Sequence, residues 1–155
     1  MTTDHELGRS EVLPAHGAVT GAPRRWLRME AAVVLVGSLV AFSTTGEQWW
    51  LVPALLFLPD LLMVGYLGGT RLGAHLYNLA HALPLPALVV GLGWWQDRPL
   101  PLALGLVWLA HIGMDRVLGY GLKYDDHFQH THLGWLGGSP TGHPAPAFGP
   151  DGPEA

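Results

Sequence analysis

The chain has 155 residues, 49% of them hydrophobic and only 13% charged, with a formal net charge of −4 and no cysteine. That charged share is about half the ~25% of soluble globular domains, so a water-soluble fold is the poorer expectation, and the acidic balance offers no basic surface for nucleic acid. Without cysteine there are no disulfides, thiolate zinc sites or thiol catalysis, and any metal would be held by His, Asp, Glu, Asn or Tyr.

Residues 1–25 are polar and punctuated by Gly and Pro, the composition of a disordered segment. The first apolar run gathers only near Ala31, behind Asp4, Glu6, Glu11 and Pro14. No small-x-small cleavage site follows it, so it reads as a retained helix rather than a signal peptide. Four spans are expected. The first covers about Trp26 to Thr44, and the second covers Trp49 to Leu67, kinked by Pro53 and Pro59. The third runs from about Arg71 to Trp95, bent at Pro84 and Pro86, and the fourth from Leu100 to about Leu122. The fold class is therefore an all-α, polytopic four-helix transmembrane bundle over residues 26–134. A Gly/Pro-rich tail, 135–155, is expected to be mobile.

Of the eight Lys and Arg residues, Arg9, Arg24, Arg25, Arg28, Arg71, Arg116 and Lys123 fall on one side of such a bundle, and Arg98 alone on the other. The positive-inside rule then predicts an inner-membrane protein with both termini cytoplasmic. The Trp pairs 49–50 and 94–95 mark an aromatic belt on the opposite side.

Inside these apolar spans stand Asp60, Asn78, His81, His111 and Asp115. A charged side chain in hydrocarbon costs roughly 2.5–3.5 kcal/mol on insertion scales, so such residues face a bundle interior, a partner or a function. By helical rise, Asp60 and Asn78 lie ~12 Å from the turn at Gly68, and His111 and Asp115 ~10–16 Å from the end of the fourth span. Three helices thus carry polar residues at one depth. His111 and Asp115 are spaced i,i+4, Asn78 and His81 i,i+3, and Tyr77 and His81 i,i+4, which keeps each pair on one face. Imidazoles and carboxylates on facing helices are how bundles build metal sites, and they suit zinc, iron or manganese. The candidate ligands are His81, His111 and Asp115. His132 would join them if the His-rich stretch after the fourth span folds back under the bundle.

A structural reading stands beside this one. Asn, His and Tyr serve as interhelical hydrogen-bond glue worth ~0.6 kcal/mol each, and Asp60–Arg116 or Asp115–Arg71 ion pairs would be purely structural. Three functions remain open. They are a metal-dependent intramembrane enzyme acting on a lipid or other apolar small molecule, a structural or accessory membrane protein, and a small proton-coupled transporter using Asp60 and Asp115.

The strings Leu58-Pro-Asp-Leu-Leu-Met-Val-Gly-Tyr66, Tyr77-Asn-Leu-Ala-His81 and His111-Ile-Gly-Met-Asp-Arg-Val-Leu-Gly-Tyr-Gly-Leu-Lys-Tyr124 resemble a bacterial family of small integral membrane proteins, domain of unknown function 4260. Phe128-x-x-Thr-His-Leu-Gly134 matches it as well. The resemblance implies a four-helix membrane protein and carries no established activity. It marks Asp60, Tyr66, Asn78, His81, His111, Asp115, Arg116, Tyr120, Lys123, Tyr124 and His132 as motif positions.

Overall fold

The computed structural model describes residues 17–136; the expected disorder at 1–16 and in the tail from 137 lies outside the described residues. Five α-helices follow in order: α1 (Gly21–Ser43), α2 (Leu51–Leu55), α3 (Thr70–His81), α4 (Pro84–Trp95) and α5 (Pro99–Leu118). A 3-10 helix, Pro59–Gly68, lies between α2 and α3, and a short hairpin of β1 (His130–Thr131) and β2 (Gly134–Trp135) closes the chain. By length and composition four segments can cross a membrane: α1, Leu51–Gly68, Thr70–Trp95 and α5. The chain is thus a multi-pass membrane protein. Its apolar residues point outward as well as inward, with Val33, Val36, Val40, Leu61, Leu67 and Trp94 all exposed at the bundle surface. An outer face of that kind is at home in lipid and not in water.

Several boundaries differ from those the sequence suggests. Residues 21–25 belong to α1 and not to a disordered leader, and Trp135 and Leu136 belong to the folded cap and not to the tail. The fourth span stops at Leu118, where Gly119 takes φ 103° and its N–H bonds back to Asp115 and Arg116 carbonyls, a left-handed stop that suits glycine.

The second span is not a kinked α-helix. Pro53 lies within the short α2, but Pro59 donates no N–H, and a proline ring clashes with the carbonyl four residues back. The backbone tightens to i→i+3 bonds instead, Leu58 N–H to Leu55, Asp60 N–H to Phe57 and Leu61 N–H to Leu58. In a 3-10 helix residues three apart eclipse one another, so Asp60, Met63 and Tyr66 form one row.

The third span breaks in two. Ala82 is extended (φ −88°, ψ 139°), and Pro84 and Pro86 then open α4. A helix that ends inside a membrane leaves carbonyls that water cannot satisfy. Here side chains serve them: Trp108 Nε1 donates to Ala80 O (2.6 Å), and Arg116 donates to His81 O (3.4 Å). The break leaves His81 as the last residue of α3, in mid-bundle.

Helix crossings are made by small residues. A Cβ on Gly113 of α5 would meet the Leu35 backbone N at 2.7 Å, and one on Gly93 of α4 would meet Leu102 N at 2.5 Å. Gly73 of α3 lies against the Tyr66 ring. At one end of the bundle, residues 119–136 fold back as a cap. Val19 N–H bonds to His132 O, Lys123 bridges Thr131, and Asn78 clamps the Lys123 backbone, donating to its carbonyl (2.8 Å) and accepting from its N–H (2.7 Å).

Candidate functional site

Four side chains from three elements meet in the bundle interior: Asp60 of the 3-10 helix, His81 of α3, and His111 and Asp115 of α5. One ligand atom from each lies within 4.8 Å of all the others. His111 is fully buried and His81 nearly so. Asp60 faces the interior because the 3-10 row turns it there. His81 is placed by the helix break, and the α5 pair by its i,i+4 spacing.

His81 fixes its own chemistry. Its Nδ1 lies 2.8 Å from the Tyr77 carbonyl, which can only accept, so Nδ1 carries a proton and, in the neutral ring, Nε2 presents a lone pair. That lone pair looks at His111 Nε2 (3.0 Å), Asp60 Oδ1 (3.2 Å) and Asp115 Oδ2 (3.5 Å). His111 Nε2 is 3.6 Å from Asp60 Oδ1 and 3.7 Å from Asp115 Oδ2. These five separations average 3.4 Å. Ligands ~2.0–2.1 Å from a tetrahedral ion are themselves about 3.3–3.4 Å apart. Five of the six edges therefore match a tetrahedral two-histidine, two-carboxylate shell, and the sixth, between the Asp60 and Asp115 oxygens, lies within 4.8 Å.

Groups outside the four hold them in place, as carbonyls and hydroxyls do around metal ligands generally. The Tyr77 ring stacks on His81 (centroids 3.7 Å apart, 13° between planes), and its hydroxyl donates to Asp115 Oδ2 (3.2 Å). Phe57 meets His111 edge-on.

Other residues proposed from the sequence lie elsewhere. Asn78 does not reach the four: both ends of its amide are spent on the Lys123 backbone. Arg116 touches His81 only at its backbone carbonyl. The Tyr66 hydroxyl is buried without a partner among the described residues, and its ring packs edge-on against Phe128. The candidate ligand His132 is a correction. The cap does fold back, but His132 Nδ1 accepts the Leu122 N–H (2.8 Å), and the ring faces a separate cavity with Glu30 and Arg116. Burial, and secondarily the Arg116 charge, hold its imidazole below the usual range. Arg71 pairs with Asp125 at the surface (3.7 Å) and not with Asp115.

Lys123 was read from the sequence only as a topology marker and a motif position. It is the only lysine in the chain and is buried. Its Nζ donates to Phe128 O (2.9 Å) and lies 3.4 Å from the Phe128 ring centroid, 4.7 Å from Tyr77 and 5.7 Å from Tyr66. Aromatic faces within ~6 Å attract an ammonium, yet burial disfavours its charge. Burial pushes its pKa down to about 8, with the charges of Asp115 and Asp60 opposing the shift. Folding thus eases loss of the proton, although below pH 8 the ammonium still predominates. Any stability cost from this group is present below pH 8 and is relieved as pH rises through the interval between 8 and the ordinary 10.5. Acylation of Lys123 by an amine-selective reagent, followed by mass spectrometry, is expected to reach half its maximum near pH 8. A midpoint near 10.5 would mean that the ammonium is solvated.

Beside the four residues lies a cavity of about 350 Å³ whose lining includes Asp60, Asp115, Tyr77 and Lys123.

A protein-family model described as domain of unknown function (DUF4260) matches residues 24–136. No curated protein and no solved structure matches the chain.

Proposed function

We propose, for a chain that belongs to the family described as domain of unknown function (DUF4260), that it is a membrane protein built around one divalent metal ion, held by Asp60, His81, His111 and Asp115. The observation that carries this reading is the crowd of electron pairs around His81 Nε2. Three neighbours lie within 3.5 Å of it. Two are carboxylate oxygens, which when ionised can only accept, and with both ionised just one neighbour, His111 Nε2, could bring a proton. Acceptors so close in a buried site call for a cation among them. Borderline ions suit the mixed nitrogen and oxygen donors, and the tetrahedral spacing favours zinc.

Bound there, such an ion would act as a Lewis acid and lower the pKa of a coordinated water. The carboxylate side of the shell borders the 350 Å³ cavity, so a further oxygen ligand could approach from that side, and zinc expands readily to five ligands. This supports an enzyme of the metal-dependent hydrolytic kind, acting on a molecule that reaches it from the bilayer. Metal analysis of the purified protein is expected to find about one zinc, iron or manganese per chain. Protein that folds and remains empty in the presence of all three would refute the reading.

We infer further that the cap faces the cytoplasm. Arg24, Arg25 and Arg28 of α1, Arg71, Arg116 and Lys123 lie toward the cap end, with Arg98 in the turn before α5. A reporter fused after Lys123 should behave as cytoplasmic and one inserted at Asp97 as external; identical behaviour of the two would rule out this orientation.

A further inference from the structure

The cavity beside the four candidate ligands has a composition that specifies an occupant. Its walls are mostly apolar, with Phe57, Met63, Met114 and Leu118 among them, and its polar groups are Asp60, Asp115, Lys123 and two tyrosines. At about 350 Å³ it falls at the lower end of small-molecule sites, ~300–1,000 Å³. An ammonium carries three N–H donors. Lys123 spends one on the Phe128 carbonyl, and no carboxylate lies within ion-pair distance of it among the described residues. A buried cation with donors to spare, on the wall of a cavity, is a ready anchor for an anion.

Charge balance sets the sign and size of that anion. On the metal-centre reading, on which this inference rests, the two aspartates offset a divalent ion and leave the single positive charge of Lys123. We propose that the cavity binds an amphiphile bearing one carboxylate, with the carboxylate on Lys123 and the hydrocarbon among Phe57, Met63, Met114 and Leu118. Lys123 is then a positioning residue. It fixes the head of the molecule so that a bond further along lies beside Asp60 and Asp115. Its aromatic neighbours Tyr77 and Phe128 and the Asn78 clamp hold it at that place.

The test uses the full chain in lipid nanodiscs and three ten-carbon probes, each carrying a diazirine: a carboxylate, an alcohol and a trimethylammonium. Photolabelled residues are mapped by mass spectrometry, which separates cavity occupancy from partition into the bilayer, and bound metal is measured on the same samples. The carboxylate is expected to label Met63, Met114 or Leu118 at least about tenfold more than the alcohol, the worth of one charge-assisted hydrogen bond. The trimethylammonium probe should leave them unlabelled. Lys123→Met should erase the preference with metal content unchanged, and Lys123→Arg should keep it. Equal labelling by carboxylate and alcohol in metal-loaded protein overturns this inference and leaves the metal centre standing. Metal-free protein without a preference overturns both. Where Lys123→Met fails to fold, the three-probe comparison on the unaltered protein decides alone.

Discussion

Replacing His111 with alanine is expected to strip the proposed metal from the protein while leaving it helical and membrane-embedded. Loss of an outer partner of a metal ligand typically costs 10–100-fold in affinity, and loss of a ligand itself should cost more. Tyr77→Phe supplies the comparison, because it removes only the hydroxyl that donates to Asp115. Metal retention against a competing chelator should therefore fall in the order unaltered protein, Tyr77→Phe, His111→Ala, with roughly 10–100-fold between the first two. His111 fills a fully buried position, so its truncation also leaves a cavity, and circular dichroism must show that the helices persist. Equal loading of all three proteins would mean that any metal sits elsewhere. If the unaltered protein is empty, the four side chains share protons instead, and His111→Ala should then lower stability without any change in metal.

The second large effect is expected at Gly113, which separates His111 from Asp115 by position and α5 from α1 in space. A Cβ there would stand 2.7 Å from Leu35 N and 2.9 Å from Ala31 O. Both are backbone atoms, so no rotamer change relieves the clash. Gly113→Val should force the two helices apart at a cost of at least about 1–3 kcal/mol, the usual range for overpacking. It should also disturb the proposed metal site, to which α5 contributes His111 and Asp115. Gly37→Val is the control, since a Cβ at Gly37 on α1 meets nothing within 4 Å. Thermal or denaturant unfolding of the two variants side by side gives the comparison. Equal stability would show that the α1–α5 crossing does not hold the bundle together.

The four spans were legible because long apolar runs between Gly- and Pro-rich turns leave few alternatives in a chain so poor in charge. Asp60, His81, His111 and Asp115 stood out for the converse reason: each is a costly residue in an apolar segment, and helical rise places them at one depth. Asn78 carried the same signal with a different outcome, and His132 was a candidate only from the His-rich stretch after the fourth span. Their partners are the Lys123 backbone and the Leu122 N–H, and no residue identity reveals which main-chain groups a fold will leave in need. The burial of Lys123 was not legible because its setting depends on the return of residues 119–136, a stretch whose two-residue strands have no periodicity to read. Tyr77 was legible from its i,i+4 spacing to His81, which puts the two rings in stacking range, whereas its hydrogen bond to Asp115 was not.

The 3-10 geometry of the second span also settles a question of reach. Its 18 residues, Leu51–Gly68, would extend about 27 Å as a regular α-helix, a little short of a ~30 Å hydrocarbon layer. Ten of them, Pro59–Gly68, rise ~2.0 Å each instead of 1.5 Å, which brings the total to roughly 32 Å. The segment that delivers Asp60 is thereby stretched to the length of its neighbours, and the bilayer need not thin around it. The 3-10 turn that opens at Pro59 thus matches this segment to the thickness of the membrane and, by the same tightening, aims its carboxylate.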